Sequence, residues 1–213
     1  MDDVKNKTVW ITGASSGIGA ALAVELNKRG ASLVLSARDE QKLAQVCEQC
    51  TNTSAKVEIA PLDLSRTEDL MEKASRINEQ AGGIDIFIGN AGLSQRSLFN
   101  ETSFDVINTL VQTNLMANLI LVKAVLPTMI ERRNGCITLV SSIAGMFGAP
   151  LRAVYSTTKA ALHGFAESLA VEVWEKNIQV SMVVPGFVRT NISYNSLKGD
   201  GTRVIARHTD YCQ

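Results

Sequence analysis

Residues 9–19, with the sequence VWITGASSGIG, restrict the fold more than any other part of this chain. A short apolar run ends abruptly at Thr12-Gly13, small residues follow, and an apolar segment with helical spacing continues to Arg29. A strand, a glycine-rich turn and a helix start in this order can hold a phosphate, because glycines let the backbone approach it and the first N–H groups of the helix point at its charge. A tight connection without a ligand is the plainer alternative. The residues expected to bind a dinucleotide here are Gly13, Ser15, Ser16, Gly17, Ile18 and Gly19.

Apolar runs alternate with longer segments of helical spacing along the whole chain. Strands are predicted at 9–12, 33–37, 57–61, 84–89, 136–141 and 179–184, and helices at 18–29, 40–50, 67–80, 104–132 and 155–176. The strands are continuously apolar rather than alternating, which indicates a parallel sheet buried on both faces by helices. We therefore expect one α/β domain over residues 1–213, a Rossmann-like, doubly wound parallel sheet with six strands.

Composition and charge narrow the range of partners. The chain has 213 residues, of which 46% are apolar and 20% are charged, and its 21 Lys and Arg balance its 21 Asp and Glu. This balance provides no basic field for a nucleic acid or an anionic membrane. The polar residues 1–8 do not resemble a signal peptide, and Asn118 and Lys123 interrupt the apolar stretch 115–125, so no membrane span is expected. A cytoplasmic location is favoured; association with the endoplasmic reticulum membrane would require an N-terminal anchor outside this sequence.

The cysteines give one weak signal. Cys47-x-x-Cys50 could indicate a metal or redox pair, but there is no second cysteine pair, and His163 and His208 lie far away in the sequence. Free thiols in a reducing compartment are the favoured interpretation, and no metal site is expected.

Polar or small residues follow the predicted strands, at the sheet edge where such folds bind their ligands. After the second strand, an acid would favour NAD, but the chain has Arg38, whose cation suits a ribose 2′-phosphate. NADP(H) is therefore favoured, with a solvated surface cation as the alternative. Asp39 is interpreted as the N-cap of the next helix. After the third strand, Asp63 could contact an adenine or cap a turn. After the fourth, small residues leave room for the middle of the dinucleotide, namely Asn90, Ala91 and Gly92.

Tyr155 and Lys159 form a candidate catalytic pair after the fifth strand. They are four residues apart and therefore lie on one face of a predicted helix. A lysine cation beside a phenol favours the phenolate, so the tyrosine can act as a general acid or base. A hydroxyl of Ser141-Ser142 could hydrogen-bond a substrate oxygen. Such a pair is usually found on a helix surface, so its significance depends on its position at the same sheet edge as the phosphate-binding turn.

In these motifs the chain resembles the classical short-chain dehydrogenases/reductases over residues 7–191. The matching motifs are Thr12-Gly13-x-x-x-Gly17-Ile18-Gly19, Asn90-Ala91-Gly92, Asn114, Ser142, Tyr155-x-x-x-Lys159 and Pro185-Gly186. Ser142 rather than Ser141 matches the family, because it precedes Tyr155 by thirteen residues. The stretches 94–98 and 191–197 resemble more narrowly the dehydrogenase/reductase member seven subgroup. One departure is Gly89, where the family usually has an Asn that braces the sheet.

The resemblance implies an oxidoreductase that interconverts a carbonyl and an alcohol. Tyr155 would exchange the proton, Ser142 would hold the substrate oxygen, and Lys159 would stabilise the phenolate and hydrogen-bond the nicotinamide ribose. Asn114 would kink its helix and hold a water of a proton relay, whereas the residues alone indicate a satisfied amide inside a helix. The cofactor contacts implied after the sixth strand are Pro185, Gly186, Val188 and Thr190.

Apolar residues are expected around the substrate. Met146, Phe147 and Phe187 would line the open end of the cleft, beside Ser142 and Tyr155. This wall and the subgroup resemblance favour a lipophilic carbonyl or alcohol, such as a steroid, a retinoid or an aromatic ketone. Plain core residues are the alternative interpretation of these side chains.

Two expectations concern assembly and the end of the chain. Apolar residues surround much of the predicted helix 155–176, and similar enzymes pair it with helix 104–132 across an interface, so a homodimer is expected. Residues 187–213 are interpreted as an irregular tail without the usual lid and seventh strand, with only Val204–Ala206 apolar, which would leave the sixth strand as a sheet edge. The alternative function is therefore a truncated isoform that binds cofactor, is catalytically weak and acts as an interaction protein.

Overall fold

The computed structural model describes residues 4–204, which form one six-stranded parallel sheet. Its strands are β1 (Thr8–Thr12), β2 (Ser32–Ser36), β3 (Val57–Ile59), β4 (Ile86–Gly89), β5 (Gly135–Val140) and β6 (Ile178–Val183). The order across the sheet is β3-β2-β1-β4-β5-β6, and every neighbouring pair is parallel. The winding direction reverses between β1 and β4, which places a ligand crevice outside the carboxyl ends of these two strands. The predicted doubly wound α/β fold is confirmed.

Helices cover both faces of the sheet. They are α1 (Gly17–Lys28), α2 (Glu40–Gln49), α3 (Leu70–Gln80), α4 (Phe104–Val111), α5 (Ala117–Arg132) and α6 (Ala153–Glu172). A π-helical segment, Gln112–Met116, joins α4 to α5. The single predicted helix 104–132 is therefore two α-helices with an irregular turn between them.

The apolar helical stretch Phe104–Arg132 contains α4, the π-helical segment and α5. It has 29 residues, and by length and composition alone it could cross a bilayer. A core helix has the same properties, and half of its apolar window is buried. Leu121 and Val125 are fully buried in the apolar cluster under the sheet. In this fold the helix is part of the core.

Each face of the sheet has its own apolar cluster, because successive strand residues point to opposite faces. Trp10 and Phe87 meet edge to face, with ring centroids 5.6 Å apart, on the face that α3, α5 and α6 cover. Val9, Ile11 and Leu35 pack on the other face with residues of α1 and α2. Burial on both sides explains why the strands are continuously apolar.

Several boundaries differ from the prediction by a few residues. β3 ends at Ile59 rather than at Pro61, since a proline cannot donate a hydrogen bond to the sheet. α3 begins at Leu70 rather than at residue 67, after a turn that Asp63 holds. In this turn Asp63 Oδ1 accepts hydrogen bonds from the Ser65 N–H at 3.0 Å and from the Ser65 hydroxyl at 2.7 Å.

β6 is an outer strand of the sheet, as predicted. Alternate side chains, those of Gln179, Ser181 and Val183, are exposed, while the inward ones pack against the core. Only one of these three outward side chains is apolar, so less apolar surface is uncovered than the sequence suggested. The predicted apolar run Val204–Ala206 lies largely outside the described residues.

Candidate active site

The turn after β1 is held against the turn after β4. Thr12 Oγ1 accepts hydrogen bonds from the N–H groups of Asn90 and Ala91, each at 3.1 Å, and the Asn90 side chain donates to Thr12 O at 2.9 Å. A Cβ on Gly13 would lie 2.8 Å from Ala91 Cα, and one on Gly19 would meet Gly13 O and lie 2.6 Å from Asn90 Nδ2. Gly13 also has a φ of +66°, a conformation that favours glycine. The turn thus keeps its backbone accessible, and these residues fit a pyrophosphate.

A cavity of about 970 Å³ lies along the carboxyl ends of the strands. It brings together most of the residues that the sequence assigned to the site: Gly13, Ser15, Ser16, Gly17, Ile18, Arg38, Asp63, Asn90, Ala91, Gly92, Ser142, Phe147, Tyr155, Lys159, Pro185, Gly186, Phe187, Val188 and Thr190. Gly19 and Asn114 are buried behind the cavity wall, and Met146 is exposed outside it. Thr113, which the sequence did not indicate, lines the cavity with a buried hydroxyl that has no partner among the described residues.

One end of the cavity carries Arg38, which is exposed after β2. Asp39 caps α2: Oδ1 accepts from Lys42 N at 3.0 Å, and Oδ2 lies 3.1 Å from Lys42 Nζ. These hydrogen bonds lower the pKa of the Asp39 carboxyl. The N-cap prediction is confirmed. Asp63 both holds its turn and lines the cavity, so it is compatible with either predicted role.

Tyr155 and Lys159 lie on α6 and line the cavity together with Ser142. Lys159 is almost fully buried, and its Nζ donates to Val140 O at 2.8 Å. Burial lowers the pKa of Lys159 to about 8, because an ammonium is poorly solvated there. Ser142 Oγ accepts a hydrogen bond from Ala144 N at 3.2 Å, which leaves its own O–H able to donate to a substrate oxygen.

The neighbouring Ser141 is engaged elsewhere. Its Oγ donates to Lys159 O at 3.1 Å and lies 2.8 Å from His163 Nε2, both on α6. Ser141 therefore fastens β5 to α6, and this geometry supports Ser142 as the serine that meets the substrate.

Asn114 lies in the π-helical segment and is fully buried. Its side chain accepts from Leu93 N at 2.8 Å, donates to Leu93 O at 2.9 Å and donates to Thr158 Oγ1 at 3.1 Å. The amide therefore ties the irregular turn of the helix to the loop after β4 and to α6. The helix irregularity expected at Asn114 is present, and so is the satisfied amide that the residues alone indicate.

Asn118 provides a physical account of the departure at Gly89. A Cβ on Gly89 would meet Asn118 Oδ1 and lie 2.8 Å from Leu139 Cδ2, so the strand has no space for a larger residue. Asn118 is buried, and its Nδ2 donates to Asn114 O at 2.8 Å. In this chain a helix residue, Asn118, supplies the buried side-chain amide, whereas the family usually has an Asn in the strand at position 89.

Gln95 is a fully buried residue that sequence reasoning did not place at the site. Its Oε1 accepts from the N–H groups of Val154 at 3.0 Å and Tyr155 at 3.3 Å, in the first turn of α6. Its Nε2 donates to Ser97 Oγ at 3.2 Å and Thr102 Oγ1 at 3.0 Å. Gln95 thus fixes the start of the helix that carries Tyr155, because it satisfies N–H groups that have no partner within the helix.

The other end of the cavity is open. Phe147 and Phe187 line it but are largely exposed. The segment that follows β6 contains no helix or strand up to residue 204, but Leu197 forms isolated bridges with Gln95 and Arg203. The two stretches that resemble the member seven subgroup are therefore neighbours in space.

Comparison with known proteins agrees with this geometry. A family model described as short chain dehydrogenase matches residues 7–200. The human protein named Dehydrogenase/reductase SDR family member 7 is 41% identical over 213 residues, which is 98% of this chain and 63% of that protein. A Drosophila melanogaster protein named Dehydrogenase/reductase SDR family protein 7-like is 38% identical over 205 residues, 94% of this chain and 63% of that protein. The chain thus spans just under two thirds of the length of these relatives.

Solved structures show the same likeness. A short-chain dehydrogenase from Sphingobium yanoikuyae in complex with NADPH is 35% identical with a TM-score of 0.82, covering 88% of this chain and 73% of that chain. A metagenomic short-chain oxidoreductase in complex with NADP is 33% identical with a TM-score of 0.81, covering 87% of this chain and 85% of that chain. The resemblance first indicated by the glycine turn and the Tyr155–Lys159 pair is therefore confirmed, and the chain belongs to the short-chain dehydrogenase/reductase family.

Proposed function

We propose that this protein is an NADP(H)-dependent oxidoreductase that interconverts a carbonyl and a secondary or primary alcohol. The observation that carries the proposal is that Ser142, Tyr155 and Lys159 line the same cavity as the glycine turn. The bound nicotinamide would supply or accept the hydride. The chain itself would position the reactants, transfer the proton and stabilise charge.

Tyr155 is the proposed proton donor. In carbonyl reduction its phenol gives a proton to the substrate oxygen, while Ser142 donates a hydrogen bond to the same oxygen and stabilises its developing charge. Oxidation of an alcohol reverses both roles. Lys159 in its charged form stabilises the phenolate that Tyr155 leaves behind, and its contact with Val140 O holds the ammonium in place.

Asn114 is proposed as a positioning residue for this group. Its side chain orders Leu93 and Thr158, next to the catalytic pair. As the family resemblance implies, Asn114 would also hold a water that connects Lys159 with solvent.

Arg38 supports NADP(H) as the cofactor. It lines the cavity after β2, and the acid next to it, Asp39, caps the following helix. A guanidinium suits a 2′-phosphate through charge-assisted hydrogen bonds. The two similar structures described above contain NADPH or NADP, which agrees with this assignment.

A lipophilic substrate and a homodimer complete the proposal. Phe147 and Phe187 offer apolar surface at the open end of the cavity, as a steroid, a retinoid or an aromatic ketone requires. On the outside, Phe104, Val171 and Trp174 are strongly exposed on or next to the two helical stretches expected to pair across a dimer. A light-scattering mass of one subunit at micromolar concentration would contradict the dimer.

The experiment that tests this function follows the absorbance of NADPH, and separately of NADH, with a panel of lipophilic carbonyls. We expect NADPH to be consumed and NADH to be a poorer donor. Tyr155→Phe is the matched control, because it keeps the ring and removes only the proton donor. This variant should retain NADPH binding and lose about 10²- to 10⁴-fold in turnover. Turnover near that of the wild type would rule out Tyr155 as the proton donor.

One observation favours the alternative of a cofactor-binding protein with weak catalysis. The cofactor end of the cavity is closely packed, whereas Phe187 at the substrate end is fully exposed. Exclusion of water usually accompanies efficient chemistry in such sites. Tight NADPH binding without carbonyl-dependent consumption across the panel would favour this second function.

A further inference from the structure

We propose that the substrate end of the cavity selects a ligand with an anionic group on a lipophilic body, and that Arg152 and Arg203 bind this anion. This inference deepens the proposed function and depends on it for the identity of the substrate end. It rests on two guanidinium groups that face the same cavity and that have no carboxylate partner among residues 4–204.

Arg152 is the better placed of the two. Its guanidinium carbon lies 5.8 Å from the centroid of the Tyr155 ring, so a group bound to Arg152 is next to the proposed proton donor. Its hydrogen bonds within the described chain come from Nη1 alone, which donates to Ser94 Oγ and, at 3.4 Å, to Gln95 O. Nε and Nη2 have no acceptor there. These two nitrogens form the fork that binds a carboxylate or a sulfate with two parallel hydrogen bonds.

Arg203 is connected to Arg152 through the backbone. Arg203 forms an isolated β-bridge with Leu197, and Leu197 forms another with Gln95. The carbonyl oxygen of Gln95 accepts a hydrogen bond from Arg152. Arg203 Nη1 donates to Asn195 Oδ1 at 3.0 Å, and its other nitrogens have no acceptor in the described chain. The two bridges thus bring both arginines to one edge of the open end.

The distribution of carboxylates supports an anionic ligand. The acids that line the cavity, Asp39 and Asp63, follow β2 and β3, at the opposite end. Asp200 is close to Arg203 in the sequence, but its Oδ1 accepts from Thr202 N at 2.9 Å and from the Thr202 hydroxyl at 2.7 Å. The open end therefore combines two cations with the apolar side chains of Phe147 and Phe187. Both parts of an amphipathic anion find a complementary surface there.

The test compares 4-benzoylbenzoate with its methyl ester, two aromatic ketones that differ in charge. Calorimetry measures their binding to the protein in the presence of NADP⁺ and again without it. We expect the acid to bind at least about tenfold more tightly than the ester, because a charge-assisted pair is worth more than a neutral contact. Arg152→Gln should reduce the ratio of the two affinities about tenfold, and Arg203→Gln should reduce it severalfold.

Arg76→Gln is the control for the general effect of losing one positive charge. Arg76 pairs with Glu72 on the exposed face of α3, away from the cavity. This substitution should leave the ratio unchanged. Three outcomes would each overturn the proposal. They are equal affinities of the wild type for the acid and the ester, an affinity ratio that neither cavity substitution changes, and no binding of either ketone. NADPH consumption with the same ketones tests the proposed function separately. Preference for the acid without turnover would remove the catalytic proposal and keep the anion site.

Discussion

The two ends of the cavity are built in opposite ways. At the cofactor end, a Cβ on Gly13 or Gly19 would collide with the backbone or side chain of the neighbouring turns, so the backbone itself shapes the site. Next to Phe147 at the substrate end, a Cβ on Gly148 would have no atom within 4 Å, and Phe187 is fully exposed. The first surface is shaped by closely packed backbone, whereas the second is formed largely by exposed side chains.

The difference shows where each kind of recognition originates. A dinucleotide presents the same phosphates in every family member, so rigid packing of small residues is sufficient to bind it. Substrates differ, and the residues proposed to contact them, apart from Tyr155 on α6, lie on loops and on the segment after β6. Gln95 joins the start of α6, which carries Tyr155, to the segment after β6, because it hydrogen-bonds α6 and pairs with Leu197.

Hydrogen exchange should give the largest contrast, between the strand before the glycine turn, β1, and the strand before the open end, β6. The amides of residues 9–11 in β1 are central and paired on both sides, while β6 is paired only with β5. We expect the outward amides of β6 to exchange at least about 10³-fold faster than those of β1. β3 is the matched control, since it is the other outer strand. Protection of β6 equal to that of β1 would mean that another element or a second subunit covers this edge.

Gly19→Ala should break the cofactor end. The added methyl group would meet Gly13 O and Asn90 Nδ2, and overpacking of this kind costs about 1–3 kcal/mol. We expect NADPH affinity, measured by fluorescence titration, to fall up to about 100-fold. Gly148→Ala has open space around its Cβ and should leave this affinity unchanged. Equal affinities for the two variants would show that the packing of the turn does not determine binding.

The stability of the protein should depend on pH through Lys159, which lies where the two ends meet. Its native pKa of about 8 is below the usual 10.5, so between these values the unfolded chain holds a proton that the native protein lacks. The contribution of Lys159 to stability therefore rises with pH across this window, and below pH 8 the cost of the buried cation is present in full. Relative to Lys159→Met, the wild type should gain about 2 kcal/mol in unfolding free energy between pH 7.5 and 9.5. Urea unfolding at both pH values measures this; parallel pH profiles would contradict burial of the ammonium.

Arg38→Asp tests whether charge at the cofactor end distinguishes the two nicotinamide cofactors. It removes a charge-assisted contact with the 2′-phosphate and adds repulsion, so NADPH affinity should fall about 10- to 30-fold. NADH lacks this phosphate and should be affected much less. Titration of both cofactors on both proteins gives the ratio, and equal losses would show that Arg38 does not contact the phosphate.

The sequence predicted features that depend on local spacing. The glycine turn, the continuous strands and the Tyr155–Lys159 pair follow from residues that are close together in the chain, and the structure has them in these places. Gln95 and Asn118 were missed, because their roles depend on contacts that no local pattern reveals. Gln95 meets α6 across about 60 residues of chain, and Asn118 lies beside Gly89 only after the helix packs on the sheet.

Two further residues expected at the site lie outside the cavity lining. Met146 was expected at the substrate, but it ends a short 3₁₀ turn after Ser142 and is directed outside the cavity. Asn114, which was expected as a site residue, lies behind the wall, where it holds Leu93. A motif can therefore identify a residue that matters for a site without showing whether it touches the ligand.

Gln95→Leu should give the smallest of these effects and tests how Gln95 fixes the start of α6. The substitution leaves the N–H groups of Val154 and Tyr155 buried without an acceptor, so the first turn of α6 should shift or fray. We expect kcat for carbonyl reduction to fall about tenfold, while NADPH affinity stays within a few-fold, because the glycine turn is unaffected. Gln95→Glu keeps an oxygen acceptor at the same place and should restore most of the lost kcat. Two outcomes would indicate that Gln95 supports the fold in general rather than the position of Tyr155. One is a loss of kcat in Gln95→Glu as large as that in Gln95→Leu, and the other is a fall in NADPH affinity equal to the fall in kcat.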